Sequence, residues 1–361
     1  MSVGAEAMRE TMRAVRYYGP GDVRVERLEK PVPSKHQVLI RNELCGICGT
    51  DLHEYTEGPI FAPTADVPDP LTGETAPVVL GHEMVGVIES VGSEVSRFSK
   101  GQRVAVEPRQ ACGECGPCLD GRRNCCPIAA TIGLQGGGGG LADYIAVDEQ
   151  LVYDLGSIPA EVGVALEPLA VATHAVRRIE GGVHGKQVLV MGAGPIGALV
   201  VWVLRASGAS EVVVVEPGAG RRENALKFGA TRLLDPKQDD LEKKLTEWGI
   251  SPHAAFECAG TGATLQGCLQ AVRPGGVVVN VAISGRAVEV DLLPLIVKEI
   301  SVLGSICYAG DHAAAIELLR ENEFPVEAFV SERIRLEDVV AEGLEELRRA
   351  SAEHMKIVVA V

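Results

Sequence analysis

Hydrophobic and polar positions divide the chain into two regimes. In the first third, the β-branched runs Val38–Leu44 and Met84–Val91 lie between Gly, Pro and Ser, and Arg103–Glu107 and Tyr144–Val147 repeat the pattern more weakly. Short runs bounded by turn formers predict strands. From about Ala165 the pattern changes: apolar runs at Val188–Met191, Glu211–Val215, Ala254–Glu257 and Gly276–Val281 alternate with helix-length segments, one ending near Ser207 and one over Arg222–Phe228. That alternation predicts βαβ units and a parallel sheet buried on both faces. After a run at Ser301–Ile306, helices are predicted over Asp311–Glu321 and Leu336–Ala350, with a last strand over Lys356–Val361. Residues Met1–Thr11 read as a polar extension before a patterned chain that starts at Met12.

Two stretches resist both periods. Glu57–Pro77 is rich in Pro, Thr and Asp and is too long for a plain connector, which predicts a surface or active-site loop. Gly136–Gly140 is an unbroken glycine run, read first as a flexible connector and second as a close approach to a ligand.

A length of 361 residues favours two domains. The net charge of −15 disfavours nucleic acid and anionic lipid as partners, since both are bound through Lys and Arg. Val188–Leu204 carries no charge, but it is short for a membrane span and contains Gly192, Gly194, Pro195 and Gly197. Met1–Arg13 has no long apolar core, so no secretory signal is expected. Ten cysteines without such a signal favour reduced thiols and metal ligation in a cytoplasmic protein.

The run Val188–Gly197 carries Gly-x-Gly-x-x-Gly directly after a predicted strand and at the start of a predicted helix. Gly192 permits a tight turn, Gly194 lets a pyrophosphate approach the backbone, and Gly197 allows the helix to pack on the strand; Pro195 and Ile196 complete the turn. Glu216 follows the next strand, 24 residues after Gly192. A carboxylate there accepts from a ribose 2′-OH and repels a 2′-phosphate, so NAD is expected rather than NADP. Arg221 and Arg222, close behind, argue the other way, and Arg221 is a further candidate coenzyme contact.

Cys112, Cys115 and Cys118 recur at intervals of three, with Cys126 eight residues later and Cys125 as its rival. Four thiolates close a tetrahedral shell, which suits a structural zinc. Three further segments, Cys45–His53, Gly81–Glu83 and Leu166–Val171, offer one thiolate, one imidazole and one carboxylate. Such a set holds zinc with a position open to water or substrate.

These segments together, CGICGTD, GHE, the four-cysteine lobe, EPLAV and GAGPIG, resemble the zinc-dependent medium-chain alcohol dehydrogenases from about Met12 to Val361. Within that family, CGICGTDLHEY, GPIF, TAPVVLGHE and the GGGGG–ADYIAVDE stretch are most similar to the 2,3-butanediol dehydrogenases, with sorbitol and threonine dehydrogenases as the nearest rivals. The resemblance implies a catalytic zinc on Cys48, His82 and Glu167, with Glu83 a ligand or sitting just behind, and a structural zinc on Cys112, Cys115, Cys118 and Cys126. It implies a doubly wound parallel Rossmann sheet inserted in a β-rich, chaperonin-10-like catalytic domain. The expected division is 12–165 catalytic with a zinc lobe at 108–130, 166–309 NAD-binding, and 310–361 returning to the catalytic domain. The active site is expected in the cleft between them, and a homodimer or homotetramer is expected through an edge strand at Ser301–Ile306.

The implied reaction is NAD(H)-dependent interconversion of a secondary alcohol and a ketone. Thr50, two residues past Cys48, is the expected proton acceptor and His53 the expected exit to solvent. Glu107 and Tyr55 are weighed equally as pocket residues and as ordinary packing. His174 is read as structural, His36, His184, His253, His312 and His354 as surface residues, and Cys258, Cys268 and Cys307 as small buried apolar groups. A zinc-binding interaction module without catalysis is the reading from a different class.

Overall fold

In the computed structural model, which describes residues 10–361, the period-two alternation of the first third becomes two sheets. Strand β1 (Thr11–Gly19) pairs antiparallel with β2 (Asp22–Glu29), Thr11 opposite Glu29. Strand β3 (Gln37–Gly46) is the centre of a second sheet, and β4 (Val78–Val79) joins β1. On β3 pair β5 (Glu83–Val91) and β9 (Tyr144–Asp148), both antiparallel. Outside β5 come β6 (Arg103–Val106) and then β10 (Val152–Asp154). The short hairpin of β7 (Arg109–Gln110) and β8 (Ala130–Thr131) closes the base of the four-cysteine lobe. Val38, Ile40, Ile88, Val104 and Ile145, one face of these strands, make the core. Residues Met1–Arg9 of the expected polar extension lie outside the described residues; Thr11 is already in β1.

The Glu57–Pro77 stretch is irregular but tied at both ends. The buried Glu54 carboxylate accepts from the backbone N–H groups of Ile60, Phe61 and Ala62. Asp69 accepts from Leu71 N, Thr72 N and Gln135 Nε2, and Glu74 from Gly137 N. The glycine run is therefore no free connector. A Cβ on Gly139 would lie 2.3 Å from the Leu80 carbonyl oxygen, and one on Gly140 2.8 Å from Cys45 Sγ. Glycine stands there because backbone and side chains occupy the space a side chain would need.

The second unit spans Pro168–Ser331 and Ala350–Lys356. Its strands are β11 (Gln187–Met191), β12 (Glu211–Val215), β13 (Arg232–Leu234), β14 (Ala254–Glu257), β15 (Val277–Asn280) and β16 (Ser301–Gly304). All pair in parallel in the order β13-β12-β11-β14-β15-β16. Val188, Leu189, Val190, Val212, Val213 and Val214 are fully buried, as a sheet covered on both faces requires.

The first unit is completed by β17 (Glu332–Arg335) and β18 (Ile357–Ala360), β18 running antiparallel to β3 and β17 parallel to β18. The chain returns at Glu332, not at 310 as expected. The helix Asp311–Glu321 and the residues after it stay with the parallel sheet. Asp311 bonds His174 and Arg177, Trp202 Nε1 donates to the Glu323 carbonyl at 3.0 Å, and Phe324 lies edge-on to Trp202. The single helix expected over Leu336–Ala350 is three pieces, a 3-10 turn, a π-helical turn over Val339–Leu344 and an α-helix from Glu345.

Candidate active site

The register of β3 and β5 builds the first cluster. Cys45 lies opposite Met84 and Gly46 opposite Glu83, so Cys48, two residues beyond the end of β3, comes beside His82, one residue before β5. Cys48 Sγ, a His82 ring nitrogen and a Glu83 carboxylate oxygen lie within 4.8 Å of one another. Gly46 makes room: a Cβ there would be 2.1 Å from Glu83 Oε2. Cys48 caps the helix Gly49–Glu57, and Asp51, fully buried in its first turn, accepts from Cys48 N at 2.9 Å. The other Asp51 oxygen lies 3.6 Å from His82 Nδ1. Burial disfavours a charged His82, but Asp51 and Cys48 outweigh it and hold the ring well above its ordinary value. Two carboxyl groups and a thiol are gathered around one buried imidazole. A divalent cation satisfies these groups with ligands of the kinds zinc takes. The carboxylate in the three-residue group is Glu83; Glu167, the expected one, is not among the three. The reason is register: Glu83 is delivered by the same strand pair as Cys48 and His82, whereas Glu167 starts the helix Leu166–Arg177.

Cys48 Sγ lies 3.6 Å from Thr50 Oγ1. Thr50 and the exposed His53 stand three residues apart on one helix and so share a face. Cys45 is buried beneath the cluster, and its sulfur would touch a Cβ on either Gly81 or Gly140.

The second cluster is the lobe Cys112, Cys115, Cys118 and Cys126, whose sulfurs also lie within 4.8 Å of one another. Cys112 is 4.0 Å from Cys118 and 3.6 Å from Cys126. A tetrahedron with zinc–sulfur bonds of about 2.3 Å has sulfur–sulfur edges of about 3.8 Å, so the cage fits that ion. Backbone N–H groups of Glu114 and Cys115 bring the Cys112 thiol down to about 7. Cys125, the rival fourth ligand, turns to Arg122 instead.

In the parallel unit, Gly192 has a φ of 97°, and a Cβ on Gly197 would sit 2.1 Å from the Gly192 carbonyl oxygen. Gly194 caps the helix Pro195–Ala206, whose first turn includes Ile196; the nearest atom to a Cβ on Gly194 is Arg221 Nη1 at 3.8 Å, so the turn is open. An open glycine turn with free N–H groups at a helix N-terminus is an anion cradle. Glu216 is buried behind it, accepting from Ala193 N at 2.9 Å and Gly218 N at 2.8 Å. Arg222 is tied to the Glu216 carbonyl and to Asp235, and Arg221 donates to the Ser351 carbonyl.

Other expectations change. His312 is fully buried, edge-on to Tyr308, and is no surface residue, because its helix packs inward on the parallel unit. Cys307 is only partly buried and has a φ of 48°. Tyr55 donates to Glu345, and Tyr153 donates to Glu107. The sequence reading missed Asp51, whose signal was its place three residues after Cys48, where a carboxylate can cap a helix N-terminus.

The model of the alcohol dehydrogenase GroES-like domain matches residues 34–157, and that of the zinc-binding dehydrogenase domain matches 195–321. The (R,R)-butanediol dehydrogenase of Neisseria gonorrhoeae is 38% identical over 96% of this chain and 99% of its own. Human sorbitol dehydrogenase is 34% identical over 89% of this chain and 88% of its own. The crystal structure of 2R,3R-butanediol dehydrogenase from Bacillus subtilis matches with a TM-score of 0.90 at 36% identity, over 97% of this chain and 99% of that one.

Proposed function

The chain belongs to the zinc-binding alcohol dehydrogenase family, and from that premise we propose that it interconverts 2,3-butanediol and acetoin with NAD(H). The observation that carries this reading is the convergence of Cys48, His82 and Glu83 at one end of β3 and β5. In this reading those three residues hold the catalytic zinc, and Cys112, Cys115, Cys118 and Cys126 hold the structural one. When bound, zinc supplies a Lewis acid for the alcohol or carbonyl oxygen, and NAD supplies the hydride acceptor.

The chain's own residues do the rest. Asp51 fixes the ring of His82 and offsets its charge. Thr50 Oγ1 takes the alcohol proton as it gives up its own hydroxyl proton, and His53, exposed one helical turn on, receives the released proton and passes it to water. Gly192, Gly194 and Gly197 admit the pyrophosphate. The negative Glu216, already ordered by Ala193 N and Gly218 N, excludes a 2′-phosphate. Arg222, tied to Glu216 and Asp235, is not available to reverse that preference.

A steady-state panel of acetoin, diacetyl, the butanediol stereoisomers, sorbitol and threonine with NAD(H) and NADP(H) tests the substrate. Sorbitol turned over faster than butanediol would move the assignment to polyols, and equal efficiency with NADP would sink the coenzyme preference. Metal analysis of Glu83→Gln and Glu167→Gln separates the two carboxylates: only the first should lose the catalytic zinc.

We propose further that the protein is a cytoplasmic homo-oligomer. Among the described residues no helix is long and apolar enough to cross a membrane. Strand β16 ends the parallel sheet, and exposed Val302 on it, with Leu293, Ile296 and Val297 beside it in sequence, leaves an apolar edge that a second copy can pair. Light scattering of Val302→Lys should show a smaller species than the wild type.

A further inference from the structure

The segment Ser305–Gly310 leaves β16 and leads into the helix Asp311–Glu321. Ser305 N donates to the Asn280 carbonyl, which extends the pairing with β15 one residue past Gly304. Two residues on, Cys307 takes a left-handed φ of 48°. Residues with a Cβ seldom adopt that region, and it persists only where the surroundings over-determine it. The surroundings are supplied by Asp311. Its carboxylate is 2% exposed and accepts from Ala309 N at 2.9 Å, His174 Nδ1 at 2.8 Å and Arg177 Nη1 at 2.7 Å. His174 and Arg177 both stand on the helix Leu166–Arg177. Burial alone would raise the Asp311 carboxyl, but His174, Ala309 N–H and Arg177 hold it below its ordinary value, so the carboxylate is ionised at neutral pH.

This clamped segment lies at the carboxyl edge of the parallel sheet, where open α/β sheets bind their ligands. The glycine turn follows β11 and Glu216 follows β12, whereas this segment follows β16. Four strand spacings separate β12 from β16, about 19 Å at about 4.8 Å each, which sets the segment far from the adenosine side.

We propose that Asp311 is a positioning residue for the nicotinamide end of the coenzyme: through Ala309 N–H, His174 and Arg177 it fixes the backbone of Ser305–Ala309 against which that end docks. The inference rests on the NAD(H) reading above. It requires that loss of the clamp weaken binding of the whole dinucleotide while sparing its ADP-ribose half.

Fluorescence titration of the full-length enzyme with NADH, and calorimetric titration with ADP-ribose, test it. For Asp311→Ala the NADH Kd should rise about tenfold, the size expected when a charge-assisted bond is lost, with ADP-ribose within about twofold of wild type. The KM for NADH should rise in step, and zinc content should stay at the wild-type value. Asp311→Asn, nearly isosteric, and Arg177→Met, at the exposed corner of the cluster, should give smaller shifts in the same order and remain folded if the alanine variant does not. Equal weakening of both ligands would mean a merely structural role, and no change in either would mean no role; each overturns the proposal. A wild-type enzyme that failed to bind NADH at all would instead overturn the coenzyme reading on which it rests.

Discussion

Replacing Gly46 by alanine probes the site through one added carbon. The backbone there is not left-handed, so alanine fits the strand. The new Cβ would lie 2.1 Å from Glu83 Oε2 and 3.3 Å from Glu83 Cβ and Cδ. Ordinary carbon–oxygen contact begins at about 3.3 Å, so the carboxylate must retreat by about 1 Å. A displacement of that size at a catalytic group costs about 100-fold in rate, equivalent to about 2.7 kcal/mol. Gly46→Ala should therefore lower kcat/KM for acetoin reduction by about that factor. Zinc measured by plasma mass spectrometry should fall from two per chain towards one, because the four-cysteine lobe is untouched. The melting temperature should move little, since no core volume changes. A double-mutant cycle with Glu83→Ala should be strongly non-additive: once the carboxylate is gone, the added methyl has nothing to displace. Two zinc ions per chain with kcat/KM within about twofold of wild type would refute the argument that Glu83 is a ligand held in place by the gap at Gly46.

Three further outcomes are expected. Cys118→Ser should remove one zinc per chain and expose 112–126 to proteolysis while the Cys48 group still binds metal; loss of both ions together would contradict two independent sites. Glu216→Ala removes the acceptor of two backbone donors, worth about 1.5–3 kcal/mol each when charge-assisted, and should cut the NAD-over-NADP ratio of kcat/KM by at least about tenfold; an unchanged ratio would place the preference elsewhere. Asp311, held below its ordinary 3.8, contributes stability above its unfolded pKa and loses that contribution as pH falls through and below it. In urea denaturation the stability gap between wild type and Asp311→Asn should be full at neutral pH and close below about pH 4; a gap unchanged in acid would show that the ionised form is not what matters.

Much was legible along the chain because it depends on neighbours a few residues apart. The strands at Glu211–Val215 and Ala254–Glu257 and the helix Asp311–Glu321 have the bounds that the pattern predicts. The turn at Gly192–Gly197 and the lobe at Cys112–Cys126 are local in the same sense: spacing alone brings their groups together. The glycine run misled because composition reports chain freedom in the unfolded state. Its partners, Leu80, Cys45 and Glu74, are distant in sequence. His312 was misplaced for the same reason, since nothing beside it in the chain reveals which face of its helix turns inward.

What the chain determined by itself is therefore chemistry at short range: a glycine turn, a sulfur cage and the alternation of strands and helices. Tertiary structure decided which distant groups meet. The pairing of Gly46 with Glu83 brought that carboxylate beside Cys48 and His82, and the bonds of Asp311 kept its helix with the parallel unit beyond the expected boundary. The physical reason is that strand register and side-chain pairing between distant segments are settled by burial and hydrogen-bond satisfaction over the whole domain, which no local window of sequence contains.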